Sequence, residues 1–158
     1  MGNSEVTSAL RYAGVPLAGL TAVYTAYLFA QAKARDLWQN PLLPGHFVVQ
    51  AVVAGASVLA ILESSRGELA TLVAGATLVH LLLVAGDVTL THATAHARMA
   101  AHEITHGEFR GFFLLALGLS AIGLATPWIG ALGAVSALFG LLAWEHAHVQ
   151  AGQSVPLA

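Results

Sequence analysis

The chain has 158 residues, of which 57% are hydrophobic and 9% charged, and its formal net charge is −2. Soluble domains carry about 25% charged residues, so this composition and a mean hydropathy of +0.74 exclude a charge-covered soluble surface and indicate an integral membrane protein. The near-neutral balance without a basic block excludes nucleic acid as a partner. The lack of cysteine removes disulfides, thiolate metal sites and thiol catalysis.

The opening MGNSEVTSAL is polar and has neither the basic start nor the cleavage site of a secretory signal. Val6 stands where a myristoylation motif needs Ser or Thr. Five apolar segments follow, each read as a membrane-spanning helix, for which roughly 20 residues are needed. They run from about Leu10 to Ala32, Leu43 to Leu62, Leu69 to Leu90, Gly111 to Thr126 and Pro127 to Trp144. The expected fold is an all-α integral membrane protein, a single bundle of about five transmembrane helices. Gly and Ala recur in every span, which lets helices approach closely in lipid.

The connections differ in chemistry. The stretch AKARDLWQNPLLPGH, with two basic residues, two prolines and Trp38, reads as a turn lying in the headgroup region. ESSRGE reads as a tight polar turn. ATPWIG turns the chain between the last two spans, with Pro127 and Gly130 as breakers and Trp128 at the interface. The tail is expected to lack regular structure after Gly152. With five spans, Lys33, Arg35, Arg98 and Arg110 fall on one side and Arg11 and Arg66 on the other. The positive-inside rule then places the N-terminus outside and the C-terminus in the cytoplasm.

Chemistry concentrates near the end of the third span. His80 and Asp87 are two turns apart on one face, and Thr91 and Thr94 extend that stripe. A charged acid in the hydrocarbon costs roughly 2.5–3.5 kcal/mol on insertion scales. Such a residue lines a cavity, carries protons, or pins two helices as a structural pair. Tyr24, Tyr27 and Gln31 share a face of the first span, where packing and function both remain open. Gln50 in the second is equally ambiguous.

The segment THATAHARMAAHEITHGEF holds four histidines and reads as a continuation of the third span out of the membrane. A helical wheel gathers His92, His96, Glu103, His106 and Arg110 on one side and Ala93, Ala97, Ala100, Ala101 and Ile104 on the other. His102 falls outside the polar stripe. The i, i+4 spacing of His92 and His96 invites a metal reading. Glu103, however, lies roughly 10 Å along the axis from His96, and no other span offers ligands at matching depth. An amphipathic helix tuned by histidine protonation is the simpler expectation, and no metal or haem is expected in the chain.

Several stretches resemble one known family. VPLAGLTAVYTAYLFAQAKARDLWQNPLLPGHFVVQA is similar to the helix, turn and helix of the NrfD/polysulfide-reductase membrane subunits, where a Tyr-Thr stretch precedes a Trp and a Leu-Pro. DVTLTHATAHARMAAHEITHGEFRGFFLLALGLSAIGLATP resembles the later segment, in which an acidic helix end leads to His-x-Thr, and EHAHVQAGQSVPLA resembles the family ending. Family members are about twice as long with eight or more spans, so the resemblance is to their C-terminal half.

What the resemblance implies is a quinone- or quinol-interacting subunit of a respiratory oxidoreductase in a prokaryotic cytoplasmic membrane, itself without a catalytic redox centre. It implies menaquinone or ubiquinone as cofactor and an iron–sulfur partner feeding a molybdopterin-type catalytic subunit or a multihaem cytochrome. A further membrane subunit would supply the N-terminal half. By position in the motifs, Tyr24 is the candidate headgroup contact, and Asp87 and His92 are the candidates for proton transfer. His80 and Arg66 join the quinone-binding candidates on their chemistry. The alternatives are a non-catalytic membrane anchor and assembly module, or a His-ligated metal or haem protein.

Overall fold

The computed structural model of the chain describes residues 3–63 and 67–156. The turn expected at ESSRGE, and with it Arg66, lies mostly outside the described residues. Among these residues the chain is helical throughout: α1 Asn3–Ala30, a short 3-10 helix Asp36–Gln39, α2 Leu43–Leu62, α3 Gly67–Thr89, α4 Ala95–Thr105, α5 Arg110–Gly123, α6 Thr126–Ile129 and α7 Ala131–Ser154.

Three of these helices, α1 from Glu5, α2 and α3, are long and apolar enough to cross a bilayer. The fourth expected span forms as α5, whose 14 residues reach only about 21 Å. The fifth forms as α7, which has 24 residues. Its last turns carry Glu145, His146, His148 and Gln150 and dilute its apolar character. The five expected segments are thus all helical, while length and composition single out three.

Sequence periodicity explains the packing. The buried positions of α3 are Val73, Thr77, His80, Val84 and Asp87, an alternation of four and three that lays one seam along the helix. Those of α2 are Leu43, His46, Gln50, Val53, Ala56, Ser57 and Ala60. Both seams face α7, which is buried along most of its length and also contacts α4 and α5. The α5–α7 contact is tight because small residues face each other. A Cβ built on Gly140 would stand 2.7 Å from the Ser120 backbone nitrogen, and one on Gly123 would stand 2.8 Å from the Ala137 Cβ. The α1 helix is the outlier: only its last turns pack, through Ala26 against α2, and Leu10, Tyr12 and Val15 are exposed.

Three expectations are corrected. Trp38 is not an interfacial side chain but is 8% exposed, in edge contact with Phe29 at 5.1 Å and against Gly152 near the end of α7. The 3-10 turn tucks Leu37 and Trp38 under the bundle because Arg35 reaches across. Its Nη1 donates to the carbonyls of Gly152, Gln153 and Val155 at 3.0, 2.9 and 3.1 Å, groups that a helix end leaves without partners.

The histidine-rich segment is also not a continuation of α3. The helix stops at Thr89, and Thr94 starts α4 afresh, its extended backbone (φ −112°, ψ 158°) letting Oγ1 accept from Ala97 N at 3.2 Å. This is an N-cap, the arrangement Thr favours over a helix interior. His92 therefore lies in the connection, and the His92/His96 helical pair does not form. The apolar face of the wheel does hold, with Ala97, Ala100, Ala101 and Ile104 all buried. On the other face His102 is not split from the rest, since its ring stacks on His106 with centroids 5.2 Å apart.

Candidate functional site

The end of α3 and the turn before α2 meet at a buried carboxylate. Asp87 is 5% exposed. His46, in the first turn of α2 and 1% exposed, places Nε2 at 2.9 Å from Asp87 Oδ2. Asn40 donates from Nδ2 to Asp87 Oδ1 at 2.5 Å. Leu42 N in turn donates to Asn40 Oδ1 at 2.9 Å. A carboxylate costs several kcal/mol in an apolar interior unless it is paired and hydrogen-bonded. Asn40 bonds one of its oxygens, and the other stands within ion-pair distance of His46 Nε2, whose N–H is not aligned on it as a hydrogen bond. The acid and the imidazole can exist as an ion pair or as two neutral groups, and either form has zero net charge.

Asp87 lies on the wall of a cavity of about 480 Å³. Its lining comes from the turn before α2 (Asp36, Leu37 and Gln39 to Leu42), from Gly86 and Asp87 near the end of α3, and from Leu90 to Thr94 and Ala97 beyond it. His92 Nε2 is buried and unpartnered, while its carbonyl accepts from Arg98 Nη1 at 3.2 Å. The cavity therefore joins the Asp87 carboxyl group, an imidazole nitrogen of His92 without a partner, and the apolar side chains of Leu37, Pro41, Leu42 and Leu90.

Behind the dyad, away from the cavity, the seam stays polar. Trp144 of α7 stands among three imidazoles: His46 stacked at 6.3 Å, His80 at 6.4 Å and His148 at 5.4 Å between ring centroids. His80 and His148 are almost fully buried. His80 Nδ1 and both ring nitrogens of His148 are unpartnered. Glu145 of α7 lies beside Gln50 of α2. These rings are spaced around an indole rather than around a point. Among the described residues no three His, Asp or Glu side chains form a group able to hold a metal ion.

The structure thus brings Asp87 and His92 to one cavity and places His80 in the interior behind it. It does not bring Tyr24 there: that side chain is 61% exposed on α1 and is no part of the cavity wall. Arg66 lies outside the described residues. Sequence reasoning passed over His46, Asn40 and His148. The signal for His46 was present, since an ionisable residue inside an apolar span is a marker in its own right. Asn40, in a turn of mixed composition, carried none.

No curated protein and no solved structure matches the chain. Its sequence does match the profile described as polysulphide reductase, NrfD, over residues 2–149. With apolar helices of membrane-spanning length packed around a polar seam, the chain belongs to the polysulphide reductase NrfD family, multi-pass membrane subunits of respiratory oxidoreductases.

Proposed function

We propose that the chain interacts with quinone or quinol at the Asp87 cavity and links the quinone pool to an iron–sulfur partner subunit of its complex. The observation that carries this reading is a cavity of about 480 Å³ lined by Asp87, which has His46 Nε2 at 2.9 Å behind it. Ligand sites have this character, mostly apolar with a few converging polar groups. The residues present suit a quinoid headgroup. Asp87 can accept from a quinol hydroxyl, His92 Nε2 can bond a carbonyl or hydroxyl oxygen, and Leu37, Leu42, Pro41 and Leu90 give the ring an apolar bed.

Quinol oxidation releases two protons with two electrons, and the reverse reaction consumes them. The side chains contribute the proton part. Asp87, with the His46 ring 2.9 Å behind it, takes or gives a proton at the cavity. His92, which lines the same cavity, takes or gives a proton on the way to bulk water. The electrons pass to the iron–sulfur partner, since the chain supplies no thiolate ligands. In this reading Lys33, Arg35, Arg98 and Arg110 mark the cytoplasmic side.

A photoreactive azidoquinone tests the placement. Labelling within residues 36–42 or 86–97, competed by unlabelled quinone, supports the reading. Competable labelling confined to other segments, or none, returns the chain to the role of a non-catalytic anchor.

A further inference from the structure

Asn40 has a fixed orientation, and this has a consequence at Asp87. Side-chain amides are ambiguous by shape, but Leu42 N–H is unambiguously a donor, and it meets Asn40 Oδ1 at 2.9 Å. The amide NH₂ must then face Asp87, whose Oδ1 lies 2.5 Å from Nδ2. An NH₂ group can only donate, so Oδ1 is an acceptor in both protonation states of Asp87. The proton of the carboxyl group is left one oxygen, Oδ2, which faces His46 Nε2 at 2.9 Å.

We propose that Asn40 is a positioning residue that confines the carboxyl proton of Asp87 to Oδ2, the oxygen that stands 2.9 Å from His46 Nε2. Without it, the carboxyl group carries its proton on either oxygen, and a protonated Oδ1 points away from the imidazole. The other groups near the pair do not replace it. His80 and His148 are packed around Trp144, Glu145 interacts with His46 and Gln50 rather than with Asp87, and His92 lines the cavity without a bond to Asp87. Asn40 thus performs two tasks with one side chain, closing the turn into α2 through its oxygen and orienting the acid through its nitrogen. The inference rests on the proton-transfer reading of Asp87 given above; Asn40 also lines the cavity, and the role argued for it acts through Asp87.

The two tasks separate by substitution. Asn40→Ser retains a hydroxyl that can accept from Leu42 N–H but is too short to donate to Asp87, whereas Asn40→Leu removes both. Infrared difference spectra of the full chain in lipid nanodiscs, across a pH step, identify the Asp87 bands as those lost in Asp87→Asn. A donor on Oδ1 lowers the stretching frequency of that oxygen. In Asn40→Ser and Asn40→Leu the Asp87 band is therefore expected at higher wavenumber than in the wild type. In the assembled complex, kcat for quinol-linked electron transfer is expected to fall about ten-fold with KM within two-fold in both variants.

An Asp87 band unmoved in both variants overturns the proposal. So does a shift in Asn40→Leu alone, because Asn40 would then act only through the turn. A moved band with unchanged turnover in Asp87→Asn itself upholds the orientation of the acid and sinks the quinone reading instead.

Discussion

His46 Nε2 and Asp87 Oδ2 stand 2.9 Å apart at the junction of α2 and α3, both almost fully buried, with Asp87 alone of the two lining the cavity. This pair joins the apolar interior to the cavity. Removing the imidazole leaves a carboxylate that must find its proton from the cavity or remain charged, and a buried charge stripped of its partner costs about 3–5 kcal/mol. His46→Ala is therefore expected to lower both thermal stability and quinol-linked turnover. His46→Gln, which keeps a donor near Oδ2, should recover the stability but not the turnover. Recovery of both by Gln would mean that the imidazole only donates a bond.

The Arg35 clamp makes a second prediction. One guanidinium nitrogen serves three carbonyls at the end of α7. Charged hydrogen bonds contribute about 1.5–3 kcal/mol. Arg35→Ala should cost about 2 kcal/mol in detergent unfolding and speed amide exchange in the last turn of α7. A melting curve superimposable on the wild type would mean that the clamp holds nothing.

The contact of α5 with α7 makes a third. A Cβ on Gly140 would approach the Ser120 backbone nitrogen to 2.7 Å, and backbone cannot swing aside as a flexible side chain does. Gly140→Val should force the two helices apart at a cost of about 1–3 kcal/mol. Gly118→Val, on α5 with nothing near its Cβ, serves as the control and should change stability by much less. Equal melting temperatures for the two variants would contradict the tight packing.

The N-cap at Thr94 makes a fourth. Thr94→Ala removes the bond to Ala97 N and should destabilise the start of α4 by about 1 kcal/mol, read as faster exchange of the first α4 amides. Thr94 and Ala97 both line the cavity, so the same change should widen the spread of quinone-analogue affinities. Unchanged exchange rates would show that α4 is held by its apolar face alone.

Much of this architecture was legible in the residues. The spacing of Val73, Thr77, His80, Val84 and Asp87 already describes a buried seam, and the membrane class follows from composition. Asp87 and His92 stand out chemically, and the structure brings them to one cavity. What periodicity cannot supply is partnership between segments. His46 stands at the head of an apolar helix, and only the packing of α2 on α3 turns it toward Asp87. Trp38 was misplaced because an interfacial Trp and a buried one look alike in a turn. What distinguishes them is Arg35 holding the end of α7, a contact spanning most of the chain. The break between α3 and α4 was missed for a local reason, since Thr94 fits a helical wheel as well as it fits an N-cap.

The most direct test of the central claim is turnover of Asp87→Asn in the assembled complex, measured as quinol-linked electron transfer with partner content held equal. Asn keeps the size and the contact with Asn40 but cannot hold or release the proton. Positioned acid–base groups contribute about 10²–10⁴-fold, so a fall of about 100-fold with assembly intact is predicted. Turnover within two-fold of the wild type in a fully assembled complex would contradict the assignment of proton transfer to Asp87.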